Sequence, residues 1–180
     1  MIEGKLVNLR SLEMSDLDKN VEWFNDREVT RHISMRYPVP RAAEEEWLKG
    51  TIGSMMAYGH NVFFAIETKD GTYIGNINFH QVYPENRKAR LGITIGEKAY
   101  WSQGYGTDAL RTLCRFGFDE MNLNRIDLLV DADNARAIAC YERVGFRHEG
   151  LLRQARWVRG AYVDQLVMGL LREEWARQGA

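Results

Sequence analysis

An anion-binding turn is predicted for the segment Trp101-Ser102-Gln103-Gly104-Tyr105-Gly106-Thr107. An amphipathic stretch follows, so the two glycines lie at the start of a predicted helix. Glycine permits a sharp turn and lets a ligand approach the backbone closely. The free amides at the helix start would then bind a phosphate or pyrophosphate group, and the Thr107 hydroxyl adds a donor.

The turn alone leaves its ligand open. The spacing Gly104-x-Gly106-x-x-Ala109 also fits the dinucleotide fingerprint, and a tight turn with no ligand is a third interpretation. A dinucleotide-binding fold places this fingerprint after the first strand of a repeated βαβ unit. Here an antiparallel meander is predicted before the turn, which disfavours an oxidoreductase that uses NAD(P)H.

A second segment, from Asn134 to Phe146, has the features of a short helix with both ends marked. Asn134 is a typical N-cap residue, and Gly145 is predicted as a left-handed C-cap. Tyr141 lies seven residues after Asn134, which places it two turns later on the same helix face. A tyrosine at this spacing is commonly a core residue.

The elements that position these segments alternate between two periods. Alternating or continuous apolar runs predict strands, and Asp70-Gly71 is a hairpin signal between two of them. Helical spacing marks four helices, which begin near Ser15, at the run Glu44 to Glu46, near Thr107 and at Asn134. The predicted strands cover residues 5–10, 62–67, 73–82, 89–96, 126–130, 146–157 and 162–171. This order predicts a mixed α/β (α+β) sheet, antiparallel at first and parallel around one crossover.

Composition limits the classes of partner. The 180 residues fit a single domain, 1–180, and the formal net charge of −1 gives no global field that attracts nucleic acid or a membrane surface. Cys114 and Cys140 are expected to be buried free thiols, because neither forms a metal-binding or redox motif. The sequence shows no signal-peptide or membrane-spanning run, so we expect a cytoplasmic protein. A homodimer remains open.

Both motifs resemble those of the GCN5-related N-acetyltransferase (GNAT) family. The turn is similar to the family's Gln/Arg-x-x-Gly-x-Gly/Ala signature, with Trp101 in place of the leading Gln/Arg. The second segment resembles Asn-x-x-Ser/Ala-x-x-x-Tyr-x-x-x-Gly-Phe, beginning at Asn134. The segments Leu9-Arg10-Ser11-Leu12 and Tyr162-Val163-Asp164 look like the ribosomal-protein N-terminal acetyltransferase (RimJ/RimL-like) branch. The resemblance covers nearly the whole chain.

This resemblance implies a fold and a co-substrate. The family has a seven-stranded mixed sheet, split between its fourth and fifth strands, with helices on both faces. Acetyl-CoA enters the split, and no metal is implied. The cofactor-binding residues that the resemblance implies are Ile93, Thr94, Ile95, Trp101, Ser102, Gln103, Gly104, Tyr105, Gly106, Thr107, Asn134, Arg136, Ala137 and Tyr141.

The resemblance also implies direct attack of a primary amine on the thioester. Tyr141 is then the general acid toward the coenzyme thiolate. Many family members carry a glutamate where this chain has Arg90, so the base must come from elsewhere. His80 is the candidate base, because imidazole titrates near neutral pH. Water relayed by backbone carbonyls is the other option, and a partly exposed strand histidine without a role is the third.

The acceptor is left open among a protein N-terminus, a polyamine, an amino sugar and another small amine. Glu44, Glu45 and Glu46 could attract a polyamine, although their place at a helix start is a sufficient explanation. A regulatory module that binds acetyl-CoA without turnover is the alternative function. The candidate acceptor-site residues are Arg31, His32, Arg36, Tyr37, Trp157 and Tyr162.

Overall fold

A computed structural model describes residues 1–35, 37–54 and 61–178. Within these residues eight strands form one sheet, accompanied by five α-helices. The strands are β1 (Ile2–Glu3), β2 (Val7–Ser11), β3 (Val62–Thr68), β4 (Tyr73–Tyr83), β5 (Lys88–Ile95), β6 (Arg125–Asp131), β7 (Arg147–Val158) and β8 (Ala161–Leu171). The helices are α1 (Leu17–Asn25), α2 (Arg41–Ser54), α3 (Tyr105–Asp119), α4 (Ala135–Val144) and α5 (Arg172–Ala176).

The sheet is mixed, in the order β1-β2-β3-β4-β5-β6-β8-β7. Every neighbouring pair is antiparallel except β5 and β6, which run parallel. The predicted fold class is therefore confirmed, but the count of seven strands is one too low. The additional strand is β1, in which Ile2 pairs with Leu9 and Glu3 with Asn8. Two residues are too few to carry an alternating pattern.

The parallel pair β5–β6 opens the sheet. The two strands pair only from Lys88 to Arg90 and from Arg125 to Asp127. Beyond this register β5 continues to Ile95 and β6 to Asp131 without pairing with each other. This is the predicted split, because β1 shifts the fourth and fifth strands of the family's sheet to β5 and β6. A gap with unpaired strand edges results.

Helices cover both faces of the sheet. On one face the buried side chains of β4, Ile77 and Phe79, belong to the same core as Leu113 and Phe118 of α3. On the other face a smaller core joins Leu17 of α1, Leu48 of α2 and Ala65 of β3, together with Leu12. The alternation along β4 therefore directs Asn76, Asn78 and His80 toward the α1 side. Asn76 donates from Nδ2 to Asn20 Oδ1 of α1 at 2.9 Å.

Two helix boundaries differ from the sequence prediction. Helix α2 begins at Arg41, and this places Glu44 in the first turn with only 4 % of its surface exposed. Glu44 is thus a first-turn carboxylate, as its place at the predicted helix start implies, but it packs inward. Helix α5 was not predicted; Trp175 anchors it, with its ring centroid 5.9 Å from that of Phe118. No helix among the described residues combines the length and apolar character needed to cross a membrane.

Candidate active site

The gap between β5 and β6 opens into one continuous cleft of about 950 Å³. The lining residues are described below as two groups. The glycine-turn end comprises Gly104, Gly106, Thr107 and Asn134. The group called the histidine end comprises His32, His80, Asn78 and Arg156. Its two histidines lie at different levels, because His80 pairs with Arg90 at the β5–β6 register whereas His32 contacts Asp131, beyond that register. Tyr141 also lines the cleft. Residues from both faces of the sheet therefore meet in one space.

The glycine turn has the predicted backbone geometry. Gly104 is the N-cap of α3 and has φ +93°, a left-handed conformation that glycine adopts at little cost. Helix α3 begins at Tyr105, and the Asp108 amide donates to the Gly104 carbonyl at 3.0 Å. The amides of the three residues between them belong to the first turn and have no partner within the helix. Such amides favour an anion at this end of the cleft.

Trp101 connects three elements at the glycine-turn end. Its indole Nε1 donates to the Ile95 carbonyl, at the end of β5, at 2.7 Å. The Arg136 guanidinium, from α4, lies over its ring with Cζ 3.9 Å from the centroid. Trp101 therefore holds a cation at the mouth of the glycine turn, although it carries no charge itself.

Most of the predicted site residues meet in this cleft. Two do not line it. Gln103 is exposed, and its side chain donates to the Ala99 carbonyl. Tyr105 packs its ring edge against Tyr100, with centroids 5.0 Å apart. Those that do line the cleft are His80, Ile93, Thr94, Ile95, Trp101, Ser102, Gly104, Gly106, Thr107, Asn134, Arg136, Ala137 and Tyr141.

Helix α4 brings Tyr141 into the cleft. The Asn134 side chain caps the helix, since its Oδ1 accepts from the Ala137 amide at 3.2 Å. Tyr141 follows two turns later and is 7 % exposed. Burial, with a smaller effect of Cys140, raises the pKa of Tyr141 well above its ordinary value. The phenol therefore stays protonated at neutral pH and can donate a hydrogen bond.

Cys140, next to Tyr141, lines the same cleft. It is half-buried, and its Sγ lies 3.1 Å from Thr107 Oγ1. Burial raises the pKa of this thiol, although the Thr107 hydroxyl works in the opposite direction. The side chain is therefore a neutral thiol at neutral pH. The other cysteine, Cys114, is fully buried, as predicted.

His80 lies at the histidine end beside Arg90, its register partner on β5. Burial, and secondly the positive charge of Arg90, lower the pKa of His80, while Asp127 opposes them. The imidazole is therefore neutral at neutral pH. The Arg90 Nε donates to Asp127 Oδ1 at 2.8 Å, so the residue at the family's glutamate position forms an ion pair across β5 and β6.

A second polar group at the histidine end was only partly predicted. His32 Nδ1 lies 3.2 Å from Asp131 Oδ2, and Arg156 donates to both oxygens of the same carboxylate. Asp133 completes a group of one histidine and two carboxylates within 4.8 Å. Because the Arg156 guanidinium already occupies both oxygens of Asp131, we regard this group as an ion-pair network and not as a metal site.

Of the other candidate acceptor-site residues, four do not line the cleft. Arg31 is exposed and reaches Asp133 at 3.8 Å. Tyr37 is 81 % exposed. Trp157 and Tyr162 are also exposed and pack against each other, with centroids 4.7 Å apart. Arg36 lies outside the described residues. Asp131 was not predicted as a site residue, but its position in the sequence could have indicated it. It ends a buried strand next to the split, and ligands of open sheets bind at such strand ends.

This fold and cleft are those of an N-acetyltransferase. The family model described as "Acetyltransferase (GNAT) domain" matches residues 7–147, and the chain belongs to this family. Its relatives include p20 of Bacillus licheniformis, an uncharacterized N-acetyltransferase that is 29% identical over 171 residues, 94% of this chain and 95% of that protein. YdaF of Bacillus subtilis (strain 168), named as a proposed ribosomal N-acetyltransferase, is 36% identical over 106 residues, 59% of this chain and 57% of its own.

A solved structure shares the fold. The spermidine N-acetyltransferase from Vibrio cholerae, in complex with CoA and spermine, superposes with a TM-score of 0.85. The superposition covers 95% of this chain and 98% of the Vibrio cholerae chain, and the two sequences are 23% identical. Proteins of the GNAT family use acetyl-CoA as their acyl donor.

Proposed function

We propose that this protein transfers the acetyl group of acetyl-CoA to a primary amine, by direct attack of the amine on the thioester, within one domain formed by residues 1–180. The observation that carries the proposal is the continuous cleft. The glycine turn, whose free amides suit a pyrophosphate, Tyr141 and the polar histidine end all line this one space. A donor and an acceptor can therefore meet at Tyr141.

The glycine-turn end has the features that coenzyme A requires. The amides at the start of α3 would bind the pyrophosphate, and Arg136 adds a positive charge beside them. The edge of β5 from Ile93 to Ile95 is not paired with β6, so its backbone can pair with the pantetheine arm as an added strand would. The Ile95 carbonyl already accepts from Trp101, and the Gly96 amide donates to the Ile74 carbonyl of β4. Strand alternation turns the Thr94 backbone toward β4 as well, which leaves Ile93 as the main partner.

Tyr141 acts in this proposal as the acid for the departing sulfur. Its buried phenol is protonated and lines the cleft. A thiol with a pKa of about 8.5 is already a fair leaving group, so the help required from an acid is moderate. A hydrogen bond or proton from Tyr141 would supply it.

The charges at the histidine end support an acceptor with a single amino group. Among the described residues that line the cleft, Glu28 and Asp131 are the carboxylates. Glu28 pairs with Lys98 at 3.1 Å, and Asp131 pairs with Arg156. A polyamine needs several free carboxylates, whereas an amino-terminal residue or a small monoamine needs few. We therefore favour an α-amino group or another monoamine over a polyamine.

The experiment is a screen for thiol release from acetyl-CoA with peptides, amino sugars, small monoamines and polyamines as acceptors. We expect turnover with at least one monoamine, and a fall in kcat of about 100-fold in Tyr141→Phe, the lower end of general acid catalysis. Tyr162→Phe, which alters an exposed tyrosine outside the cleft, is the matched control and should keep the wild-type rate. Release of thiol with no acceptor, or an unchanged Tyr141→Phe rate when chemistry limits turnover, contradicts the proposal.

A further inference from the structure

His32 contacts a carboxylate that is itself fixed by side chains of two neighbouring strands. Asp131, the last residue of β6, is 3 % exposed, and its Oδ2 lies 3.2 Å from His32 Nδ1. Its Oδ1 accepts from Arg156 Nε at 3.0 Å and from Gln165 Nε2 at 3.2 Å. Arg156 lies on β7 and Gln165 on β8, so two neighbouring strands fix the position of this carboxylate.

The contact with Asp131 determines which His32 nitrogen is free. A carboxylate only accepts hydrogen bonds, so Nδ1 of His32 carries the proton and donates it. In the neutral ring the other nitrogen, Nε2, then has the lone pair. The side chain is 22 % exposed and lines the cleft, so part of the ring borders the space that a ligand would occupy.

The contact of His80 has the opposite consequence. The Asn78 Nδ2 amide lies 3.3 Å from His80 Nδ1. An amide nitrogen only donates, so Nδ1 of His80 accepts and its Nε2 carries the proton. Two histidines of opposite character therefore line the same cleft. His32 offers an acceptor for a proton, whereas neutral His80 offers a hydrogen-bond donor.

Asp131 also connects His32 to the helix that carries Tyr141. The Asp131 carbonyl accepts from the Asn134 amide at 2.9 Å, and Asn134 is the N-cap of α4. Through Asp131, His32 therefore contacts the connection that leads from β6 to the helix carrying Tyr141.

We propose that His32, positioned by Asp131, takes the proton from the acceptor amine, and that His80 serves as a neutral hydrogen-bond donor in the same cleft. This inference rests on the proposed acetyltransferase function. The acceptor ammonium loses one proton to His32 Nε2, and its nitrogen then forms a bond to the thioester carbon. The carbon–sulfur bond breaks, and the thiolate takes the Tyr141 proton. The Tyr141 oxygen regains a proton from the amide nitrogen, and His32 releases the first proton to water.

The charges around His32 favour this transfer. Asp131 and Asp133 face it from the connection between β6 and α4, the latter with Oδ1 at 3.7 Å from Nδ1. Arg156 from β7 neutralises part of the Asp131 charge, and Arg31, from the same turn as His32, lies 3.8 Å from Asp133. An imidazolium formed at His32 therefore has two carboxylates beside it, each shared with one arginine. His80 has Arg90 as its register partner instead.

The test compares His32→Gln with the matched variant His80→Gln. The wild type and both variants are assayed with the same acceptor amine, and the wild-type kcat/KM is divided by that of each variant. Ionisation of the amine affects both values equally, so it does not affect this ratio. For His32→Gln we expect a loss of about 100- to 10,000-fold near neutral pH. The ratio should fall once the pH is low enough to protonate His32, because the wild type alone then loses a base. For His80→Gln the ratio should not change when the pH is lowered in the same way.

A second measurement distinguishes loss of the base from misfolding of a glutamine variant. Added imidazole should restore part of the rate of His32→Ala and none of the rate of His80→Ala. Melting temperature and CoA binding of each variant report whether it is folded. Asp131→Asn, a change to a positioning residue, should lower kcat and leave KM for acetyl-CoA unchanged.

The outcomes separate this inference from the function on which it rests. If wild type acetylates an amine but the His32 ratio is independent of pH and imidazole does not rescue His32→Ala, the assignment of His32 is wrong. If the pH dependence instead disappears in His80→Gln, His80 is the base. If wild type acetylates no amine at all, the proposed function itself fails.

Discussion

Trp101 stands where the family signature has glutamine or arginine, and its indole makes two contacts at once. The N–H binds the Ile95 carbonyl, and the ring face supports the Arg136 guanidinium. The motif therefore retains a positive charge near the glycine turn, but the charge comes from α4. The sequence predicted both residues as cofactor contacts, yet it could not predict that one would support the other, because they lie in separate elements.

Arg136 should accordingly contribute to CoA binding. A charge-assisted hydrogen bond is worth about 1.5–3 kcal/mol, so Arg136→Ala should weaken CoA binding by about 10- to 100-fold. Trp101→Leu removes the support but keeps the charge, and its effect should be smaller. Calorimetric titration with CoA measures both. Arg115→Ala is the control, because Arg115 contacts the Glu3 carbonyl and does not line the cleft. Equal affinities of Arg136→Ala and Arg115→Ala would refute the prediction.

The elements were predictable where a period extends over several residues. Strands β4 and β5 and helices α3 and α4 have such patterns, and their predicted ranges agree with the structure to within about two residues at each end. Strand β1 and helix α5 are too short to show a period, and packing against neighbouring elements holds them. The sequence predicted the start of α2 at Glu44, because a run of carboxylates is typical of a helix start, whereas the helix begins at Arg41.

The two ends of the cleft also differ in how well the sequence predicts them. The glycine-turn end comes largely from two contiguous motifs, so the sequence predicts it. The histidine end combines a turn after α1 with β4, β6, β7 and β8. His32 and Asp131 are 99 residues apart, and only the tertiary fold brings them together. No local spacing could therefore indicate that pair.

Glu44 offers a test of how α2 packs. Burial raises its pKa above the ordinary 4.5, an effect that Asn20 opposes, and its Oε1 has no hydrogen-bond partner among the described residues. As the pH rises from 4.5, the pKa of this group in the unfolded chain, toward its higher pKa in the folded protein, the unfolded chain releases the proton first. The folded state therefore loses stability. Glu44→Gln removes the buried charge and should make the protein more stable than wild type at neutral pH. The difference should diminish as the pH falls toward 4.5.

Urea unfolding at several pH values measures this difference. The control is Glu46→Gln, an exposed position on the same helix, which should change the free energy of unfolding by less than about 0.5 kcal/mol. A Glu44→Gln protein that is less stable than wild type at neutral pH would mean that the carboxylate has a charged partner.

The whole sheet consists of two parts that meet along a short seam. Strands β1 to β5 and strands β6 to β8 share only the three residue pairs of the β5–β6 register. The Arg90–Asp127 ion pair joins the last of these pairs. Where the seam ends, the cleft begins, and a donor bound there would contact β5 on one side and α4 on the other. Binding of CoA should therefore connect the two parts of the sheet and raise the free energy of unfolding of the whole domain.

CoA at about 100 times its Kd should add about 2.7 kcal/mol to the free energy of unfolding. For a chain of this length that corresponds to a rise in Tm of about 5 to 10 °C. Thermal melting with and without CoA measures the shift. NADH at the same concentration should produce none, because the antiparallel strands before the glycine turn do not form a dinucleotide fold. A shift with NADH equal to that with CoA would contradict the assignment of the cleft.

Gly106→Val makes the same experiment specific to the glycine turn. A β-carbon at this position would meet only Ile95 Cγ1 at 3.7 Å and Cys140 Sγ at 4.0 Å, both ordinary contacts. The unliganded protein should therefore melt near the wild-type temperature. Gly106 lines the cleft, however, so the branched side chain would occupy space that a pyrophosphate needs. We expect the CoA-dependent rise in Tm to disappear in this variant, whereas a full rise would place the donor elsewhere than on this turn.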